Sequence, residues 1–220
     1  MAGAAEELSE AVFSLFTSLR ALAPEVVRPF DVERRGILPS EGAAALVLEP
    51  ADRARARGAR ALARVAGYAA TAEAHHLTAP HPAGRALAAC LGDALARAGR
   101  SPADVGYVCA HGTGTPASDG VEAAALARFF DGPTAPAVSS VKGALGHAQG
   151  AASALEAVVC VEAVRSGVLP GMPTVRRIDP VCEVVDLVAG PARCAPAGLA
   201  ANVAFGFGGS TSALLIEAAP

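Results

Sequence analysis

The chain has 220 residues, 52% of them hydrophobic and 18% charged, with a formal net charge of -3. That length suits one domain or one and a half, and the apolar share is enough to build a core. The charge argues against a nucleic-acid binder, and Ala and Gly dilute every apolar run below the length of a membrane span.

The first residues show no basic stretch followed by an apolar one, so no secretory leader is expected. Met1 to Gly3 read as a short lead-in. Leu8, Val12, Phe16 and Leu19 fall on one helical face, which predicts a helix over residues 6–22 that Pro24 ends. Residues 28–31 and 34–36 read as loop and turn, and residues 43–48 as a short buried strand. Residues 52–64 carry Arg53, Arg55, Arg57, Arg60 and Arg64. They read as a solvated helix or turn; the sharper alternative is a docking surface for an acidic partner. A strand is expected over residues 62–68. His75, His76 and His81 then crowd one polar loop, but without zinc spacing or a nearby cysteine, so no metal is expected there.

Residues 84–99 form a clear amphipathic helix, with Leu87, Leu91 and Leu95 on one line, Gly99 after its last turn and Pro102 barring continuation. A strand over residues 105–110 runs straight into His111. The next helix spans residues 118–130, with Ser118 as its N-cap and Asp119 and Glu122 in its first turn. After a strand at residues 137–141, a long small-residue helix over residues 143–165 is apolar nearly all round and therefore buried. His147 falls in its first turn, where the positive helix end should disfavour imidazolium. Three short strands follow, at residues 183–188, 199–203 and 212–216, the last two joined by the turn Phe205-Gly-Phe-Gly-Gly209.

Two groups of residues flank helix 118–130: Ala-His-Gly-Thr-Gly-Thr-Pro (110–116) and Ser-Val-Lys-Gly-Ala-Leu-Gly-His (140–147). The chain has 17 arginines and a single lysine, and that lysine is Lys142, between His111 and His147. A site that needs a compact ammonium rather than a planar fork explains the choice. The five cysteines, Cys90, Cys109, Cys160, Cys182 and Cys194, are scattered and odd in number. They fit free thiols in a reducing cytoplasm rather than disulfides or a zinc site.

Three motifs stand in order: His-Gly-Thr-Gly-Thr-Pro, Val-Lys-Gly-Ala-Leu-Gly-His, and Asn202-Val-Ala-Phe-Gly-Phe-Gly-Gly. Together with Arg28-Pro-Phe-Asp31 they resemble the β-ketoacyl synthase (3-oxoacyl-[acyl-carrier-protein] synthase) family over nearly the whole chain. The resemblance implies a thiolase-like layered α/β/α fold, a mixed sheet with a buried central helix. Residues 1–50 would be the tail of the N-terminal half and residues 51–220 the C-terminal domain. The implied reaction is a decarboxylative Claisen condensation in fatty-acid or polyketide synthesis. His111 and His147 would hold the malonyl thioester oxygen, and Lys142 would orient them with Glu122 as its carboxylate partner. Thr113 and Thr115 would bind the pantetheine arm, with Phe205 beside them and Phe207 as gate and oxyanion-hole amide. Asp119 and Asn202 would support, and His76 and Thr78 would lie in a loop near the cavity. The implied partners are an acyl carrier protein, which brings the phosphopantetheine arm, and a ketosynthase partner chain or a second copy. No metal or diffusible cofactor is implied.

The family's nucleophilic cysteine lies in the preceding half, and none of the five cysteines matches it. A truncated gene model, a split enzyme, and a non-catalytic subunit resembling a chain-length factor are the competing expectations. Ser210-Thr211 also stands where the family usually ends its glycine loop with asparagine.

Overall fold

The computed structural model describes residues 1–219. Its centre is a six-stranded mixed sheet of β3 (Ala63–Ala72), β10 (Ser210–Ala218), β9 (Leu199–Gly206), β4 (Tyr107–Cys109), β5 (Ala137–Ser139) and β7 (Asp186–Leu187), in that order across the sheet. The first three pair antiparallel, and β9, β4, β5 and β7 run parallel. The sheet is covered on both faces, so its strands alternate between two apolar sides rather than between core and water. Val108, Val138, Ala201, Val203 and Leu215 face the core formed with α3 (Arg85–Ala98) and α4 (Asp119–Phe129). Tyr107, Cys109, Ala137, Ala200 and Ile216 face the core formed with α6 (Gln149–Ser166).

The outer side of α6 is covered by a two-stranded antiparallel ribbon, β1 (Ala2–Glu6) with β2 (Gly42–Leu46). The helix is thus sandwiched between two sheets, as the layered architecture with a buried central helix requires. Small residues allow that approach: Ala151, Ala152, Ala157, Cys160 and Ala163 are all buried. The remaining elements are α1 (Glu10–Ser18), α2 (Ala51–Ala56), α5 (Lys142–Leu145) and a small ribbon of β6 (Val168–Leu169) with β8 (Arg193–Cys194).

Several expectations need correction. The lead-in at Met1 to Gly3 begins strand β1, and the first helix is shorter, starting after an N-cap in which Ser9 accepts from Val12 N–H. The strand expected over residues 183–188 shrinks to Asp186–Leu187. The expected long helix over residues 143–165 is two helices. Gly146 breaks it with φ +72°, a conformation in which a Cβ would lie 2.7 Å from Ser40 Cβ. The chain there leaves helical geometry to bond across to residues 38–40: His147 N–H donates to Leu38 O (2.8 Å) and Ser40 N–H to His147 O (3.1 Å). Ser118 does not cap α4 with its side chain.

Candidate active site

Strand β4 ends at Cys109, and two residues on, His111 is buried at the carboxyl edge of the sheet, a common place for function in open α/β sheets. Its backbone turns sharply at Gly112, whose φ is +36° and where a Cβ would fall 2.5 Å from Ser140 Cβ. Only glycine fits. Ser140 on the neighbouring strand's exit donates to Gly112 O (2.7 Å), tying the two loops together.

The turn is held by two buried carboxylates at the start of α4. Glu122 accepts from His111 N–H (2.7 Å) and Gly112 N–H (2.8 Å). Asp119 accepts from Phe30 N–H (2.8 Å), Gly114 N–H (3.1 Å) and Thr115 N–H (3.3 Å). Burial pushes both carboxyls above the usual carboxylate range, Glu122 to about 8 with the Asp119 charge adding to it, while the amides pull the other way. Thr113, Thr115 and Ser118 join their hydroxyls, at 3.1 Å between the threonines and 2.9 Å from Thr113 to Ser118. Ser118 is engaged here instead of capping its helix. Arg34, itself nearly buried, donates to Thr115 O (3.2 Å) and pairs with Asp179, which clamps the loop from outside.

Lys142 opens α5 with 2% of its side chain exposed. Its Nζ donates to His111 O (2.5 Å), lies 3.5 Å from His111 Nδ1 and pairs with Glu156 of α6. The expected partner, Glu122, is therefore not the partner: its two oxygens are taken by the backbone of the turn, and Glu156 reaches Lys142 across the buried side of α6. Sequence reasoning missed Glu156. The available signal was an acid on a helix otherwise small and apolar on its buried side.

The two imidazoles meet edge to face, with ring centroids 5.4 Å apart and planes at 83°. Phe205 from the end of β9 closes the other edge of His111 at 5.3 Å. His147 lies in the break between α5 and α6, not in a helical first turn. Gln149 N–H donates to its Nδ1 (3.2 Å), which leaves the proton on Nε2. Lys142 Nζ likewise claims the acceptor role for His111 Nδ1, so both rings are set to present an Nε2–H. Burial and then the Lys142 charge push His147 down to about 3, and the same causes, with His147 added, hold His111 well below the usual histidine range. Both are neutral donors at pH 7, for reasons of burial and a neighbouring cation rather than of a helix end.

Asn202 of β9 donates from Nδ2 to Ser153 O on α6 (2.9 Å). Phe207 stands in the one-turn helix after β9, about half exposed, with its ring 5.9 Å from Phe16 of α1. His76 and Thr78 do not reach His111 or His147 among the described contacts. Their loop touches the glycine turn instead, where Gly208 N–H donates to Leu77 O (2.7 Å). Four of the five cysteines are buried. Cys109 is buried against α6, two residues before His111. The exposed one, Cys194, pairs with β6 beyond the C-terminus of α6, roughly 27 Å along an 18-residue helix from His147. Among the described residues no group of three or more potential metal ligands converges.

The family model described as "Beta-ketoacyl synthase, C-terminal domain" matches residues 62–176, and these include both histidines, Lys142, Glu122 and Glu156. The chain belongs to the β-ketoacyl synthase family. Nodulation protein E of Rhizobium meliloti is 41% identical over 209 residues, 94% of this chain and 51% of that protein. The 3-oxoacyl-[acyl-carrier-protein] synthase 2 of Rhizobium meliloti strain 1021 is 41% identical over 192 residues, 86% of this chain and 45% of that protein. Among solved structures, the ishigamide ketosynthase/chain length factor superposes with a TM-score of 0.93 at 38% identity, covering 98% of this chain and 53% of its own. The chain spans about half the length of the curated relatives it matches. Its fold is the C-terminal half of a ketosynthase, thiolase-like and α/β.

Proposed function

We propose that this chain supplies the decarboxylating half of a 3-oxoacyl-[acyl-carrier-protein] synthase in fatty-acid or polyketide synthesis. The observation that carries the reading is the pair of neutral imidazoles with both Nδ1 atoms engaged. Two adjacent rings then each keep an Nε2–H free to donate, which suits a thioester oxygen that gains charge during reaction. The malonyl C–C bond to the carboxylate breaks and carbon dioxide leaves. Its electron pair passes to an enolate whose oxygen the two imidazoles hold. The enolate carbon attacks an acyl thioester, a new C–C bond forms, and a cysteine thiolate departs. None of the five cysteines of this chain is suited to be that nucleophile, so it comes from the other half of the enzyme or from another chain.

The carrier protein would bring the phosphopantetheine arm, with Thr113 and Thr115 as its hydroxyl partners and Phe205 and Phe207 along the acyl path. Asp119, Glu122 and Asn202 act as supports, and no metal or diffusible cofactor takes part. The division into residues 1–50, continuing the N-terminal half, and 51–220, the C-terminal domain, follows the same reading. So do a ketosynthase partner or a second copy as assembly partner, and a cytoplasmic location. The last is supported by the five unbridged cysteines. Among the described residues no helix is long and apolar enough to cross a membrane.

The competing reading is a non-catalytic subunit that shapes an acyl tunnel, favoured by the missing nucleophile. Lys142 and Glu156 speak against it. A buried ion pair is costly to desolvate, and a purely structural subunit would gain by replacing it with apolar residues. The deciding experiment is to reconstitute this chain with a ketosynthase N-terminal half and measure carbon dioxide release from malonyl carrier protein. His147→Ala and His111→Ala should each slow release about 10²- to 10³-fold. Unchanged release would end the proposal.

A further inference from the structure

A concave site lies at the opposite end of the sheet from the histidines. Glu217 is seven residues along β10 from Ser210, so about 23 Å from the glycine turn. It stands in a cleft of about 590 Å³ lined by Arg55, Arg64, Arg100, Gly198 and Glu217. Glu217 is buried and pairs with both Arg64 and Arg100, the latter at 2.9 Å. It therefore fixes two guanidinium forks at the cleft wall instead of leaving them free. The third arginine comes from α2, a six-residue helix with no buried residue. Packing does not explain that helix. It is tethered by Arg57, which holds Glu49 at 2.7 Å, and its Arg55 makes no ion pair among the described residues. Among the lining residues three guanidinium groups stand against one carboxylate, and Asp104 offsets part of the Arg100 charge from outside the lining, so a net positive charge remains on the cleft wall.

We propose that this cleft is a ligand site, separate from the histidine pair, and that it takes a dianionic phosphate monoester group. Two ordered forks and one free arginine suit bidentate recognition of phosphate oxygens, which a lysine-lined site would not offer. The cleft is larger than a phosphate, so the rest of the ligand has room beside Ala51 and Ala218. The inference does not depend on the condensing activity.

The test is isothermal titration of the whole chain with glycerol 3-phosphate and with inorganic phosphate, at constant ionic strength and about pH 8, where the monoester is dianionic. Saturable one-to-one binding is expected for both. Arg55→Ala and Arg100→Ala should each weaken it about tenfold or more, the loss of one charge-assisted bidentate contact. Arg53→Ala, on the same helix but outside the cleft, should leave it unchanged, and circular dichroism will show that all three variants fold alike. Non-saturable binding, equal weakening by Arg53→Ala, or indifference to Arg55 and Arg100 would each overturn the site. Binding of inorganic phosphate without glycerol 3-phosphate would overturn the monoester assignment.

Discussion

Two charged clusters lie at opposite ends of the sheet and are built from the same kinds of group. Lys142 and Glu156 each leave 2% of the side chain exposed. Arg64 and Arg100, which share Glu217, leave 52% and 42% exposed. Charge attraction is of similar origin in both, but the dielectric around it is not. In the dry cluster, the ammonium is committed to one carboxylate, one carbonyl and one imidazole nitrogen, and it adds to burial in keeping both histidines neutral. In the wet one, water competes for every donor, so the arginines keep capacity for an outside anion. The contrast teaches that the ion pair matters to chemistry where desolvation makes its neighbours' charge states unequal.

The largest effect should come from breaking the dry pair. Lys142→Ala leaves Glu156 buried without its cation, and a broken buried pair costs about 3–5 kcal/mol. Lys142→Met, which fills the space, with Glu156→Gln in the same chain should recover much of that loss without restoring carbon dioxide release. Urea melts of the single and double variants check it. A Lys142→Ala loss below about 1 kcal/mol, the range of exposed pairs, would erase the difference between the clusters.

The next test uses protons. His147 has its pKa lowered from 6.5 to about 3, so the unfolded chain binds more protons than the folded one in that window. Its contribution to stability is complete above 6.5 and is lost as pH falls toward 3. Glu122 has the opposite sign: raised from 4.5 to about 8, it contributes stability that is complete below 4.5 and is lost as pH rises through 8. Asp119 and Glu156 are shifted in the same direction as Glu122. Between 4.5 and 6.5 the two trends oppose each other. His147→Phe should therefore flatten the acid limb of the stability curve, and Glu122→Ala the alkaline limb, each measured by urea unfolding across pH. Parallel curves for wild type and both variants would show that neither group is set by its surroundings as described.

The histidines, the lysine and the glycine turns were legible because each sits in a short motif whose spacing survives folding. The patterns gave single strands, helices and one buried helix without a polar face, while the layered arrangement came from the family resemblance that those motifs carry. What stayed illegible depends on distant contacts. Ala2–Glu6 has no β-branched residue, and it is a strand only because Gly42–Leu46 lies beside it. Residues 143–165 are mostly small and apolar with no proline, yet the chain breaks at Gly146 to bond residues 38–40, more than a hundred positions earlier. Glu122 was expected as the partner of Lys142 only from the family resemblance. Choosing between Glu122 and Glu156 required knowing which face of α6 meets the sheet. Ser118 has a cap's sequence position, but Thr113 and Thr115 offer its hydroxyl a better-placed bond.

The smallest effect belongs to the wet cluster and tests the other side of the comparison. Arg64→Ala removes one of the two cations on Glu217. Arg100 remains at 2.9 Å, and water reaches the vacated space. The expected loss is about 0–1 kcal/mol, and it should shrink further in about 1 M salt, where screening acts over roughly 3 Å. Lys142→Ala, shielded from the solvent ions, should keep most of its cost in the same buffer. A salt response shared by both variants would mean that water and ions reach Lys142 as well. The two histidines could then not be held neutral by burial and by that charge, and the pair of neutral Nε2–H donors would lose its cause.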